Sequence, residues 1–286
     1  MKAKDVAERI ILLIRQGKQP WLKPWTRIPP TSWRTRKRYQ GVNFLLLSPG
    51  EYMTATAATQ HGGHVLPGAK GSTVVFFTFK TAKANDDDKK QRQYPVFRTF
   101  RVYRVGDEIE GVTPRYSGNH RHQLGLFDDL RSFDIEARLL AYAHRTGLAI
   151  IHSTGDEAYW ERSRNRIVMP YPDRFPSRDD YLYILGHELM HSTAIRLGRS
   201  IARGEIDGKV YAFEELVAEI GASMLAFDLG LHPRVAGIER SASYIEGWLS
   251  WLEHDARNVF RAARLAEQGV RMILQANPGD YGKRLS

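Results

Sequence analysis

The pattern H-E-x-x-H, which runs from His187 to His191, is the part of this sequence best suited to chemistry. Residues four apart on an α-helix lie on the same face, so the two imidazoles point the same way and can share one metal ion. Glu188 lies beside the pair, where its carboxylate can take a proton from a water molecule activated by such an ion. The pattern therefore predicts a metal-dependent hydrolytic site, with His187 and His191 as ligands and Glu188 as the general base.

A site with two histidines needs a third protein ligand, and the best candidates lie on a second predicted helix. Glu215 and Glu219 share a face with small apolar residues, where carboxylates are costly to bury unless a metal or a hydrogen bond holds them. We assign Glu215 to the metal and Glu219 to a position behind a ligating histidine, and the reverse assignment stays open. Glu214 is expected on the helix surface. Zn²⁺ is the ion expected for two imidazoles and a carboxylate, and Mn²⁺ could occupy the same ligands.

The elements that must position these residues follow from the surrounding pattern. The motif lies in an amphipathic run at about residues 181–197, with Ser177 as the predicted N-cap and Gly198 as the predicted stop. A small sheet followed by the motif helix is the architecture expected of a zinc peptidase core. The sequence before the motif predicts a helix, a buried strand and a hairpin, at residues 134–145, 148–153 and 158–169.

Charge divides the 286-residue chain into two parts. Residues 1–126 contain 22 Lys and Arg against 9 Asp and Glu, whereas residues 127–286 contain 20 against 23. A basic half is the electrostatic footprint of a polyanionic partner, and a nearly neutral half fits an ordinary globular domain. We therefore predict a basic domain at residues 1–126, with a linker from about residue 106, and a second domain at residues 127–286.

Three absences narrow the class of protein. The chain has no cysteine, which excludes disulfides and thiolate zinc sites. No apolar run approaches the length of about 18 residues that a transmembrane helix needs. The first residues also lack the apolar core and cleavage site of a secretory signal. We expect a cytoplasmic protein without a membrane anchor.

An aromatic and basic segment in the first domain indicates single-stranded DNA as the partner. Between residues 18 and 39, three tryptophans and a tyrosine are interleaved with seven basic residues. Aromatic faces stack on unpaired bases while Lys and Arg contact phosphates, and duplex DNA hides its base faces. For Trp21 and Trp25, a place in the core of a proline-rich turn stays open. The predicted DNA-binding residues are Lys18, Trp21, Lys23, Trp25, Arg34, Arg36, Lys37, Arg38 and Tyr39.

Two strongly β-prone runs, at residues 73–80 and 95–105, predict a long hairpin in the same domain. Arginines alternate with aromatic residues along its second strand. A hairpin with such side chains suits a nucleic-acid platform, and it also suits any half-buried sheet.

Four segments of the chain follow one another in a specific order: Pro20-Trp21-x-x-Pro24-Trp25, Tyr39-x-Gly41-Val42-Asn43, Gly62-Gly63-His64 running to Lys70-Gly71, and His187 to His191 with residues 214–222. In these segments the chain resembles the ArdC-type antirestriction proteins of conjugative plasmids. The resemblance implies an N-terminal single-stranded-DNA-binding domain related to one found in plasmid primases, a C-terminal zincin-like metallopeptidase domain, and a role in shielding incoming plasmid DNA from host restriction.

These observations together predict an α+β protein of two domains. The N-terminal domain is a mixed α/β single-stranded-DNA-binding domain, and the C-terminal domain is a gluzincin-like metallopeptidase domain with a small sheet and the H-E-x-x-H helix. Its partners are expected to be single-stranded DNA and either a protein substrate or a host restriction enzyme. Two alternatives stay open: a DNA-shielding protein whose metal site is structural or vestigial, and an accessory to plasmid DNA priming.

Overall fold

The computed structural model describes residues 3–16, 20–21, 28–81, 93–115, 126–199, 208–234, 248–249, 252–253, 255 and 257–275. The helices are α1 (Ala3–Arg15), α2 (Val42–Leu46), α3 (Ala55–Gln60), α4 (Leu126–Arg145), α5 (Arg178–Ser192), α6 (Gly208–Leu229) and α7 (Asn258–Leu274). The strands are β1 (Pro30–Ser32), β2 (Gly50–Met53), β3 (His64–Val65), β4 (Ser72–Thr81), β5 (Gln93–Arg104), β6 (Ile109–Glu110), β7 (Ala149–Ser153), β8 (Tyr159–Glu161) and β9 (Arg166–Pro170).

The chain separates into two compact units. The first contains residues 1–10 and 28–117, and the second contains residues 11–27 and 118–286. Helices and strands occur in both, so the predicted α+β class with two domains is confirmed. The predicted boundary between residues 126 and 127 stays a prediction, because residues 116–125 lie outside the described part of the chain. No described helix has both the length and the apolar character that crossing a membrane requires.

A four-stranded sheet in the order β1-β2-β5-β4 forms the centre of the first unit. The predicted hairpin is present: β4 pairs antiparallel with β5 along the whole length of β4, from Ser72 opposite Val102 to Thr81 opposite Gln93. β2, which sequence analysis did not predict, pairs parallel with β1 and antiparallel with β5. Leu47, Tyr52, Val74 and Val102 form a buried cluster on one sheet face.

Asn43, the last residue of the Tyr39-x-Gly41-Val42-Asn43 segment, fixes helix α2 against the edge strand β4. Its amide nitrogen donates to the carbonyl of Val75 at 2.8 Å, and its amide oxygen accepts from the Val75 N–H at 2.7 Å. The side chain thus pairs both polar groups of an edge residue, as a neighbouring strand would. This buried amide explains why a polar residue stands in an otherwise apolar run.

The second unit contains a three-stranded sheet in the order β7-β9-β8, with β7 parallel and β8 antiparallel to the central strand. The hairpin predicted at residues 158–169 corresponds to β8 and β9. Strand β7 was predicted as buried, but Ala149, Ile151 and His152 are exposed because β7 lies at the sheet edge. Helices α5, α6 and α7 pack against one another beside this sheet.

Helix α5 begins where the sequence predicts and ends earlier than predicted. The Ser177 hydroxyl accepts a hydrogen bond from the Asp180 N–H, which caps the first turn. The carboxylates of Asp179 and Asp180 accept from the N–H groups of His232 and Arg234, so the segment after α6 is tied to the start of α5. The helix ends at Ser192, and Ile195, which falls within the predicted amphipathic run, is 48% exposed.

Candidate functional site

The two histidines of the motif lie one turn apart on α5 and point at a common position. Their side chains are buried, and their Nε2 atoms are 3.1 Å apart. Helix α6 packs against α5 and brings Glu215 to the same position. Its carboxylate oxygens lie 3.6 Å from His187 Nε2 and 3.3 Å from His191 Nε2. The structure therefore brings together His187, His191 and Glu215, as expected for three ligands of one ion.

The geometry and chemistry of these three donors fit a divalent metal. Ligands bound at about 2.0–2.2 Å in a tetrahedron lie roughly 3.3–3.6 Å from one another. The observed separations of 3.1, 3.3 and 3.6 Å are close to this range. Two imidazole nitrogens and one carboxylate oxygen form a donor set that leaves a fourth position open for a water molecule or a substrate.

Glu219, the second candidate for the third ligand, lies behind the site. Its Oε2 is 3.4 Å from His187 Nδ1, on the side of the ring away from Glu215. The hydroxyl of Tyr183 donates to Glu219 Oε1 at 3.1 Å and lies 3.3 Å from the hydroxyl of Ser223. A carboxylate in this place fixes the imidazole so that Nε2 faces the position shared with His191 and Glu215.

Glu214, predicted on the helix surface, is instead buried and backs the second histidine. It is 1% exposed, and its Oε1 lies 3.3 Å from His191 Nδ1. Arg199 donates to both of its carboxylate oxygens at 2.8 Å and to the Met190 carbonyl at 2.7 Å. Neither role was predicted from the sequence. A signal existed for Glu214: it is a third glutamate in a helix that is apolar on every side, and a buried charge in such a helix needs a partner.

The charged groups of the site shift one another's pKa values. Burial lowers the pKa of His191, but its hydrogen bonds to Glu214 and Glu215 outweigh that effect and raise the pKa to about 10. Burial raises the pKa of Glu215, yet the hydrogen bonds from both histidines hold it well below its usual range. Glu214 has a lowered pKa for the same kind of reason, with His191 and Arg199 as partners. The carboxylates thus favour a positive charge between the imidazoles, which a divalent cation supplies.

Glu188, the predicted general base, is 7% exposed and lies in the same buried part of α5. Its charge contributes to the raised pKa of His191, so the carboxylate acts on the metal position electrostatically. The structure gives Glu188 no hydrogen bond or ion pair within the described residues. Its oxygens are therefore available to a water molecule or a substrate.

The predicted DNA-binding residues fall into three groups. Lys18, Lys23 and Trp25 lie outside the described residues. Trp21 is 1% exposed and packs edge-on against Trp248 with ring centroids 5.3 Å apart. A ring enclosed in this way offers no face to a base, so Trp21 does not fit the predicted stacking role and belongs to the core of the second unit.

The remaining predicted residues lie on a tight turn of the first unit. Arg34, Arg36 and Lys37 are exposed there. The turn is closed by hydrogen bonds from the Ser32 N–H to the Lys37 carbonyl and from the Arg36 N–H to the Ser32 carbonyl. Arg38 lies over the Phe44 ring, and Tyr39 is half-buried against Tyr52. Burial raises the pKa of Tyr39 to about 12, as expected for a side chain of the core rather than a free stacking surface.

Two protein families match this chain, one for each part. The model of the N-terminal domain of the anti-restriction factor ArdC matches residues 2–103. The model of a zincin-like metallopeptidase family matches residues 137–265, which include every residue of the metal site described above.

Related proteins extend the likeness beyond single domains. DNA primase TraC of Escherichia coli is 29% identical over 289 residues, which covers 92% of this chain. The chain spans only 19% of that primase and 26% of a second TraC primase. The metal-free crystal structure of the antirestriction protein ArdC from plasmid R388 matches with a TM-score of 0.76 at 30% identity, covering 96% of this chain and 97% of that chain.

The Mn(II)-bound structure of the same R388 protein gives a TM-score of 0.75 at 31% identity, with 96% and 98% of the two chains covered. The match therefore includes both units of the chain and almost the whole length of a solved relative. From its two domain matches and this full-length likeness, the chain belongs to the ArdC family of antirestriction proteins.

Proposed function

We propose that this protein binds single-stranded DNA non-specifically in the cytoplasm, protects incoming plasmid DNA from host restriction, and carries a metallopeptidase-type centre. The observation that supports the enzymatic part most strongly is the convergence of His187, His191 and Glu215, with a carboxylate behind each imidazole. Three exposed cations on the turn at residues 34–37 support the DNA-binding part. Neither arrangement is needed for folding alone, because buried charges and clustered like charges both cost stability.

The ligands of the proposed centre are His187, His191 and Glu215, and Zn²⁺ is the ion that two imidazoles and a carboxylate favour. Mn²⁺ is the second candidate, since the R388 relative has a Mn(II)-bound structure. When bound, such an ion supplies Lewis acidity for the attack of water on a peptide carbonyl.

Glu188 is the proposed general base of this reaction. Its carboxylate accepts the proton of the attacking water and then delivers it to the nitrogen of the departing amine. Glu219 and Glu214 keep the two imidazoles oriented through their Nδ1 atoms while this happens. Glu215, on α6, would hold the ion from the opposite helix.

The Glu188→Gln variant tests the enzymatic part. The amide cannot take a proton, so we expect the variant to keep its metal content but to lose peptide hydrolysis by about 10²- to 10⁴-fold. Hydrolysis is followed by mass spectrometry on a mixed peptide library, and metal content by elemental analysis. Glu157→Gln, an exposed change of the same chemistry, is the matched control. Equal cleavage by the Glu188 variant and the native protein would show that Glu188 is not the base.

A second candidate function is a DNA-shielding protein whose metal site is structural or vestigial. The likeness to TraC primases favours a role on DNA, and it also allows an accessory role in plasmid priming. Transfer of a plasmid into a restricting host separates these alternatives. If the Glu188→Gln variant protects the plasmid as well as the native protein, protection comes from binding and not from hydrolysis.

A further inference from the structure

We propose that Phe76 and Phe100, an exposed aromatic pair on the β4–β5 hairpin, stack on the bases of single-stranded DNA. This inference rests on the proposed DNA-binding function and names a surface for it outside the basic turn. Phe76 is 46% exposed and Phe100 is 45% exposed. Exposing large aromatic side chains to water on a sheet is unfavourable in free energy, and a stacking partner would bury that apolar surface.

The register of the hairpin places both rings on one sheet face. Val74 lies opposite Phe100, and Phe76 lies opposite Arg98, so these side chains all project from the same side. The rings form an edge-to-face pair with centroids 5.3 Å apart and an interplanar angle of 84°. In such a pair the edge-on ring keeps its faces open to a third aromatic group.

This face continues from the buried core of the unit. Val74 and Val102 lie toward one end of the face, where they are buried in one cluster with Tyr52 and Leu47. Tyr39, which ends the basic turn, also packs against this cluster. Phe76 and Phe100 therefore lie on the same sheet face, just beyond its buried part. The basic turn packs against that buried part through Tyr39.

Charge complementarity favours nucleic acid over an apolar protein partner. Arg98 is exposed directly across from Phe76, and no carboxylate of the described residues forms an ion pair with it. An apolar pair beside a guanidinium suits a ligand with a π-face and a phosphate a few ångströms apart. A single strand presents both, and a sheet with exposed aromatic residues is a common way to read it.

The test compares an oligothymidylate with an abasic strand of the same length and charge, by fluorescence anisotropy. We expect the Phe76→Leu/Phe100→Leu protein to bind oligothymidylate at least about fivefold more weakly than the native protein, because each stacked base is worth a measurable share of the affinity. The two proteins should bind the abasic strand equally well. Leucine keeps apolar bulk and removes the ring, so the fold is retained, and thermal melts verify this.

Two matched controls accompany the test. Phe133→Leu changes a phenylalanine that is 73% exposed on α4, in the second unit, and should leave binding unchanged. Arg98→Gln should reduce the salt dependence of binding, whereas Arg101→Gln, on the opposite sheet face, should not.

The possible results separate this inference from the function on which it rests. If native protein binds neither strand, the DNA-binding function itself is wrong. If native protein binds but the double variant loses nothing, or loses equally on both strands, binding stands and the proposed base stacking is overturned.

Discussion

The Nδ1 atoms of the two histidines matter to the site as much as the Nε2 atoms, which face the proposed metal position. Each Nδ1 lies against a buried carboxylate, Glu219 for His187 and Glu214 for His191. The supports of those carboxylates differ. Glu219 accepts from a neutral tyrosine hydroxyl, whereas Glu214 is held by the guanidinium of Arg199. The His191 side of the site therefore depends on a charged residue outside both helices.

The Arg199→Met variant tests this dependence. Loss of the guanidinium frees Glu214 to turn from His191, so we expect metal affinity to fall by about 10- to 100-fold. Titration of the metal-free protein with Zn²⁺ and Mn²⁺ measures it. Because Glu214 then becomes an unpaired buried charge, stability also falls by about 3–5 kcal/mol. Adding Glu214→Gln should recover much of that stability without recovering affinity.

Arg196→Met is the control for this experiment, since Arg196 is exposed three residues earlier and donates, among the described residues, only to the backbone carbonyl of Thr146. Unchanged metal affinity in both Arg199 variants would mean that the imidazole is held by packing alone.

At this scale, the convergence of His187, His191 and Glu215 could be predicted from the sequence, and the network of side chains behind them could not. Spacing alone placed His187 and His191 on one face, and it placed Glu215 and Glu219 on another. Glu214 was assigned to the surface because it points away from that face. The assignment failed because α6 is buried on every side from Ala212 to Ala226, so no face of it meets solvent there.

At the scale of the elements, α5, α6 and α7 come together at Met190. This residue of α5 precedes His191 and packs against both α6 and α7. A Cβ atom at Gly221 on α6 would lie 2.3 Å from Met190 Cε, and one at Gly269 on α7 would lie 2.5 Å from the same atom. The Met190 side chain is fully buried, so it cannot move away from one helix without meeting the other. The two glycines thus provide the space that lets α5 sit close to both helices.

Gly221→Ala should therefore destabilise the protein, although alanine is the better helix former by about 1 kcal/mol. We expect overpacking to lower the free energy of unfolding by about 1–3 kcal/mol in chemical denaturation. Met190→Ala alone leaves a cavity and costs about 2–5 kcal/mol. The double variant should cost clearly less than the sum, because the new methyl group occupies part of that cavity.

The control is Gly186→Ala, where the added Cβ would lie 3.6 Å from Leu225 Cδ1, an ordinary contact. That change should be neutral or stabilising. Strict additivity of Gly221→Ala and Met190→Ala would show that the two residues do not compete for space.

The elements that sequence analysis predicted well were those with a strong local pattern. The β-branched and aromatic runs of β4 and β5 and the capped start of α5 belong here. β2 was missed because its four residues lack alternation, and β7 was predicted as buried because edge position is a property of the sheet and not of the strand. Trp21 shows the same limit, since only tertiary packing on Trp248 decides between core and ligand surface.

At the scale of the whole molecule, the parts of the chain before and after residue 126 differ in charge and in chemistry. The first 126 residues carry the excess of cations, and the proposed metal ligands His187, His191 and Glu215 all lie in the nearly neutral remainder. Changes in one part should therefore leave the property of the other intact, as is usual for sites that share no residues. This separation makes it possible to remove DNA affinity without touching the metal centre.

The salt dependence of DNA binding is the measurement that uses this separation. The logarithm of single-strand affinity should fall linearly with the logarithm of salt concentration, with a slope of about −0.7 per phosphate contacted. Replacing Arg34, Arg36 and Lys37 by glutamine should make the slope shallower by roughly 2, equally for oligonucleotides of different sequence. Zn²⁺ affinity should stay unchanged.

The control variant neutralises the exposed Arg162, Arg196 and Arg264 of the second unit, which removes the same charge from elsewhere. An equal change of slope in both variants would mean that net charge alone attracts the strand, and a slope near zero in the native protein would remove DNA binding as the function of the first unit.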